Sequence, residues 1–376
     1  MRKIMTVVGT RPELIKMSRV MAVLDECFDH KLVHTGQNFD YELNEVFFED
    51  LGIRRPDHFL EAAGASAIET IATTMHKIDR LLENERPEAV LIYGDTNSGL
   101  ACIPAKRRKI PIFHFEAGNR CFDAWVPEEI NRRIIDHTSD INLTLTEHAR
   151  RYLLAEGLPA DRVFNVGSHM QEVLEFASDG VAASTILERL ELQPNGFFIV
   201  SAHREENVDQ PEKLRELVSA LDRLAKAYGL PVVVSTHPRT RNRLESLGAN
   251  SDDRVRFLPP FGFFDYIRLQ TEARCVISDS GTIAEEASLL GFPAVTLRDS
   301  HERPEGQDAG AVVLSKVSAG AVLDAVRVAR STHDLGGQPL TRVRDYEGGA
   351  VSRKVARIVA GYIDFVNEKV WRASPA

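Results

Sequence analysis

Cysteine is scarce in this chain. Four residues in 376, Cys27, Cys102, Cys121 and Cys275, stand far apart with no CxxC spacing. That excludes a disulfide scaffold and a zinc ribbon, and it suits a reducing cytosol. No DxD, HxxEH or clustered His/Cys spacing occurs either, so no metal is expected. Long apolar runs are missing too, none approaching the ~20 residues of a membrane span. The chain opens on a strand-like run, KIMTVVG, without the apolar stretch of a signal peptide. The expectation is a cytoplasmic protein with no membrane partner. Nor is positive charge in excess, for 46 Lys and Arg face 55 Asp and Glu, a net charge of −9. A generic nucleic-acid partner needs a basic face and is excluded. A small anionic ligand needs only a few local cations and is not.

What the chain does have is a repeated alternation. Short apolar, β-branched runs occur at 3–9, 31–36, 88–94, 110–118, 141–147 and 163–168. A second series lies at 197–203, 231–237, 255–261, 275–280, 294–299 and 311–315. Each is followed by a segment of helical period. Continuous rather than alternating hydrophobicity marks strands covered on both faces, as in parallel sheets. The spacing predicts an α/β protein of two Rossmann-like, doubly wound domains. The boundaries are an N-terminal domain over 1–170 and a C-terminal domain over 171–351. A long amphipathic helix over 352–372 is expected to pack back on the first domain.

Parallel sheets of this kind place ligands at the carboxyl ends of their strands. The first run ends in GTRPELIK, where Pro12 suits a helix start and Arg11 and Lys16 bring positive charge. GDTNSG sets Asp95 at a strand tip, with a helix read over 97–108; helix capping alone would explain it. HFEAGNR puts Glu116 directly after a buried run, where an ionised carboxylate needs a partner. In VPEEINRRIIDH, Glu128, Arg132 and Asp136 follow at one-turn spacing, of which a surface charge ladder is the usual explanation.

The second half carries its own strand-end chemistry. HREEN places His203 and Arg204 at a strand exit, either structural or catalytic. SDSGTIAEEA offers Ser280, Gly281 and Thr282 at a helix start, a seat for a diphosphate. Glu286 lies deeper along that helix, where a carboxylate can accept both hydroxyls of a ribose. RDSHERPEG adds Arg298 and Arg303 to offset ligand charge. Anion seat and acidic clamp together describe a nucleoside diphosphate.

GTRPE, GDTNS, EAGNR, PEEINR, HREEN, SDSGTIAEEA and RDSHERPEG, in this order, resemble the non-hydrolysing UDP-N-acetylglucosamine 2-epimerases. The resemblance implies a GT-B-like pair of domains with the active site in the interdomain cleft. It also implies a homodimer, no cofactor, and a UDP-sugar substrate. UDP would be eliminated anti across C1–C2 to leave a glycal, then added back after C2 is reprotonated on the other face. By motif position Asp95, Glu116, Glu128 and His203 would be catalytic. Arg11, Lys16, Arg132, Arg204, Ser280, Gly281, Thr282 and Arg298 would hold phosphate and sugar. Glu286 would take the ribose, and Phe264 in FGFFDY would neighbour the uracil.

The chain departs from the family pattern in places. Glu205 replaces the second arginine of H-R-R-E-N, and Thr282-Ile283-Ala284 replaces G-x-Q in D-S-G-G-x-Q-E-E. T-G-Q-H becomes Thr35-Gly36-Gln37-Asn38, and G-N-T becomes Gly167-Ser168-His169. Such changes resemble members working on modified sugars for surface polysaccharides. Those sugars include UDP-2-acetamido-2,6-dideoxy-L-talose and UDP-2,3-diacetamido uronates. Two readings of other classes stay open: a GT-B glycosyltransferase with a UDP-sugar donor, and a non-catalytic UDP-sugar sensor. The first needs no base at C2. The second predicts binding without turnover.

Overall fold

The computed structural model describes residues 1–37, 50–236, 238–246, 251–298, 302–335 and 342–372. Asn38 and residues 299–301 of the RDSHERPEG motif, singled out above, lie outside the described residues, and so does the side chain of Glu205. The chain divides into two units. One comprises Met1–Phe176 and Arg344–Ala376, the other Ala177–Val343.

The first unit is built on a parallel sheet. Its strands are β1 (Lys3–Val8), β2 (Asp29–His34), β3 (His58–Phe59), β4 (Ala89–Tyr93), β5 (Ile112–Phe115), β6 (Ile141–Thr144) and β7 (Val163–Asn165). They lie in the order β3-β2-β1-β4-β5-β6-β7. The direction of winding reverses between β1 and β4, so the crevice for a ligand opens at their carboxyl ends. All residues of β4, β5 and β6 are buried, which is why these runs read as unbroken apolar stretches. The short β3 has no such signature and goes unforeseen. The helix read over 97–108 is a 3₁₀ turn, Asn97–Ala101, leading into a helix Cys102–Arg107.

The terminal helix Val351–Phe365 packs against helix Arg11–Cys27. Arg2 clasps Asp364 at 2.6 and 3.1 Å, and Ser352 donates to Glu172 at 2.7 Å. Lys354 reaches the Val166 carbonyl at 3.0 Å.

The second unit holds β8 (Phe198–Ser201), β9 (Val232–Ser235), β10 (Val255–Leu258), β11 (Cys275–Ser278), β12 (Ala294–Leu297) and β13 (Val313–Ser315). Their order is β10-β9-β8-β11-β12-β13, again parallel, with the reversal between β8 and β11. One core lies on each face. Phe198, Val200, Leu221 and Ile277 belong to one, Phe197, Ile199, Leu269 and Val276 to the other. Alternate strand residues point to opposite faces, which produces this division. Cys102 and Cys275 are buried, and burial pushes both thiols up to about 12.

A buried ionic network ties the first unit's strand ends together. Asp136 accepts from Arg120 at 2.7 Å, from His114 Nδ1 at 2.8 Å and from the Gly118 amide at 3.2 Å. His114 Nε2 contacts the Gly94 carbonyl at 2.8 Å, beside the turn after β4. Arg120 also pairs with Glu156, whose carboxyl it holds down at about 2. Asp136 is therefore no part of a surface ladder. It is fully buried, and its partners come from β5 and the loop after it, 16 to 22 residues earlier. Removing one member of such a network leaves the others uncompensated. The substitution Asp136→Asn is expected to cost about 3–5 kcal/mol of unfolding free energy in urea titration. A loss under ~1 kcal/mol would show that the network is not what holds the EAGNR loop.

Candidate functional site

The strand ends of the first unit converge on two carboxylates. Gly94 and Glu116 follow β4 and β5, whose last residues, Tyr93 and Phe115, are paired. Glu116 has φ +70°, a left-handed conformation that a side chain adopts only under constraint. Both its oxygens meet Lys16 Nζ at 3.3 Å, and Asn119 approaches at 3.4 Å. Burial makes an isolated carboxylate costly here, and the Lys16 ammonium offsets that cost.

Asp95 is held in a similar way. Arg132 reaches its Oδ2 with Nη2 at 2.7 Å and Nε at 3.0 Å. The Asn131 amide donates to the Asp95 carbonyl at 3.1 Å. Arg132 is 4% exposed and also bonds Glu129 Oε2 at 3.0 Å. The ladder reading therefore fails at Arg132 as well as at Asp136. Arg132 pairs with Asp95 and with its i−3 neighbour Glu129, whereas Glu128 is exposed in the first turn of helix Pro127–Thr138. Glu129 is a residue that motif spacing alone passes over. It is buried and accepts from the Cys121 amide at 3.0 Å and from Arg133 at 3.1 Å.

Glu13 is a second such residue. It accepts from the amides of Gly9 at 2.5 Å and Thr10 at 3.0 Å, the reach-back half of a capping box. Its other oxygen takes the Thr96 hydroxyl at 2.6 Å, so it links the turn after β1 to the turn after β4. Gly9 is required there, since a Cβ would lie 1.8 Å from Ser98 Oγ. Arg11 is half-buried at the first position of the same helix.

In the second unit the carboxyl ends of β8 and β11 are joined through Asp279. Fully buried, it accepts from the amides of His203 and Arg204, each at 3.0 Å, and from Asn207 Nδ2 at 3.0 Å. His203 Nδ1 stands 3.1 Å from its other oxygen, leaving the exposed imidazole oriented by a carboxylate. Arg204 Nε donates to the Asp279 carbonyl at 3.0 Å. The two motifs HREEN and SDSG are thus one structure, a coupling that neither declares alone.

Ser280 and Thr282 hydroxyls lie 3.0 Å apart at the start of helix Ile283–Leu290. Ser280, Gly281, Arg298, Arg303 and Gln307 line one small cavity. Glu286 is buried and accepts from Gln270 at 2.6 Å. Phe264 is half-buried, its ring against Gly180, where a Cβ would come within 2.4 Å of it. Arg298 and Arg303 do not stand as bare cations. Arg298 bonds Glu302 at 2.8 Å, and Arg303 pairs with buried Glu285 at 3.3 Å.

Burial pushes the Glu13 carboxyl up from 4.5 to about 7, against the lowering effect of its hydrogen bonds. The folded state therefore holds a proton that the unfolded chain has already lost between roughly pH 4.5 and 7. Stability falls as pH rises through that window, by about 3 kcal/mol from this group. Glu13→Gln should remove that slope, so the variant gains on the wild type between pH 4.5 and 8 in denaturant titrations. Parallel profiles would contradict it.

With this geometry in view, known proteins give a consistent comparison. The family model described as UDP-N-acetylglucosamine 2-epimerase matches residues 23–360. A UDP-N-acetylglucosamine 2-epimerase of Methanocaldococcus jannaschii is 32% identical over 336 residues, 87% of this chain and 92% of its own. The UDP-2,3-diacetamido-2,3-dideoxy-D-glucuronate 2-epimerase of Pseudomonas aeruginosa is 36% identical over 366 residues, 95% of this chain and 99% of its own. A solved UDP-N-acetylglucosamine 2-epimerase from Rickettsia bellii superposes with a TM-score of 0.91 at 52% identity, covering 99% of each chain. The M. jannaschii enzyme in complex with UDP-GlcNAc and UDP does so at 0.88 with 29% identity, over 96% of this chain and 99% of that one. The motifs, the two parallel sheets and these matches lead to one assignment: the chain belongs to the UDP-N-acetylglucosamine 2-epimerase family.

Proposed function

We propose that the protein is an isomerase, a non-hydrolysing UDP-N-acetylglucosamine 2-epimerase that supplies a surface-polysaccharide precursor. We place it in the cytoplasm, as a homodimer. The observation that carries this reading is the pair of cation-held carboxylates, Asp95 with Arg132 and Glu116 with Lys16, on neighbouring strand ends. Removing a proton from C2 of a sugar needs a base, and inverting that centre needs an acid on the opposite face. Asp95 and Glu116 fill those roles, with Glu128 as the third carboxylate of the set.

In the forward step a carboxylate takes the C2 proton, C1=C2 forms, and the C1–O bond breaks with its electrons leaving on UDP. In the return step C2 takes a proton from the other face and a UDP oxygen rebuilds the bond at C1. The departing diphosphate needs positive charge, which Arg204 and Arg298 supply beside Ser280, Gly281 and Thr282. Arg11 adds positive charge at the start of its helix. His203, oriented by Asp279, assists at the diphosphate. Glu286 takes the ribose hydroxyls and Phe264 the uracil.

A second reading concerns the sugar. The P. aeruginosa relative, named for a 2,3-diacetamido uronate, is 36% identical over 95% of this chain, a longer and slightly closer match than the M. jannaschii enzyme's 32% over 87%. A charged or 6-deoxy N-acetyl sugar is the alternative substrate. Proton NMR in D2O separates these. Deuterium should enter at C2 of UDP-GlcNAc as a second epimer appears, and Asp95→Asn or Glu116→Gln should slow that exchange about a hundredfold or more. UDP affinity should change little in either variant. Exchange confined to a diacetamido uronate or a 6-deoxy sugar would move the substrate. Tight UDP binding with no C2 exchange in any of them would overturn epimerisation in favour of a transferase or a sensor.

A further inference from the structure

Within the proposed UDP seat an anion is already present, and it belongs to the chain. The Glu302 carboxylate accepts from Arg298 Nη1 at 2.8 Å and from Nη2 at 3.3 Å. Arg204 Nη2, arriving from the end of β8, stands 3.6 Å from Oε1 of the same group. That oxygen also lies over Gly281, where a built Cβ would be 3.1 Å away. Arg204, Arg298 and Gly281 are three of the groups assigned above to the diphosphate. A carboxylate between two guanidinium groups, against a backbone with no side chain, occupies the place a phosphate oxygen would take.

We propose that Glu302 is an internal competitor for the diphosphate and sets the affinity of the seat. This rests on the proposed reading of the second unit as the UDP site. In the free protein Glu302 neutralises part of the charge on Arg298 and Arg204. UDP can engage those groups fully only when the carboxylate moves aside, so part of its binding free energy is spent on displacing Glu302. The Arg298 side chain is almost wholly buried, with an Nε that has no hydrogen-bond partner among the described residues. Glu302 is more accessible, its side chain 13% exposed. The guanidinium is thus the fixed part of the pair and the carboxylate the part that leaves. A weakened grip suits an enzyme that must release UDP and then take it back at C1. It also disfavours small anions that lack the uridine contacts.

The test is isothermal titration of the full-length protein with UDP and with inorganic pyrophosphate. Glu302→Gln should tighten both by about tenfold, the ratio that 1.4 kcal/mol makes. Glu302→Asp, one methylene shorter, should tighten them by less, and it carries the test if the first variant does not fold. Unchanged or weaker binding in a folded variant would overturn the proposal and make Glu302 a brace for Arg298. If the wild type bound neither UDP nor pyrophosphate, the nucleotide seat itself would fall, and the proposed function with it.

Discussion

Everything in this protein's proposed chemistry depends on holding carboxylates in fixed places at the strand ends of the first unit. Glu116 stands at the end of a fully buried strand, in a backbone conformation that side chains avoid. Asp95 stands one strand over. Each remains tenable because one cation reaches it from a helix, Lys16 in the first case and Arg132 in the second. The cations are themselves placed by packing. Lys16 lies one turn beyond the capping residue Glu13, and Arg132 is braced on its other side by Glu129. An ion pair of this kind adds little net stability, because desolvation consumes most of the Coulomb gain. It does hold the two carboxylates in fixed positions, which is what the acid and base roles proposed for them would require.

The second unit solves the opposite problem, gathering positive charge without leaving it exposed. Asp279 is its anchor, since four donors from HREEN converge on its carboxylate. That convergence fixes where Arg204 and His203 can point. Arg298 and Arg303 are each matched by a glutamate, so the basic set is quiet without a ligand. Charges that would otherwise need counter-ions from solvent are satisfied within the fold.

Much of this was legible in the residues, for identifiable reasons. Strands covered on both faces read as continuous apolar runs, so twelve strand positions and the doubly wound order could be anticipated. The two-residue β3 has too little sequence to announce itself. Strand-end residues such as Asp95, Glu116 and His203 stand out because a parallel sheet makes that position special. The local spacing Glu128-Arg132-Asp136 misled, because an i,i+4 series looks the same on a wet surface and in a buried network. What decides between them is a loop carrying Gly118 and Arg120, and nothing in the helix names it. Glu13 and Thr96 are 83 residues apart, so the burial of Glu13 has no local signal either. Glu302 was hidden for another reason. Its neighbours Arg298 and Arg303 read as cations for a ligand, and a glutamate between them reads as solvated.

In the proposed reaction C2 is inverted through cleavage of the bond from C1 to UDP. Labelling the bridging oxygen of that bond with oxygen-18 tests this most directly. If the bond breaks, the label should scramble from the bridge into the two non-bridging β-phosphate oxygens in substrate recovered during turnover, as rotation of the bound phosphate permits. Label that stays in the bridge while the epimer accumulates would rule out that cleavage. The proton would then be moving at C2 with the diphosphate still attached.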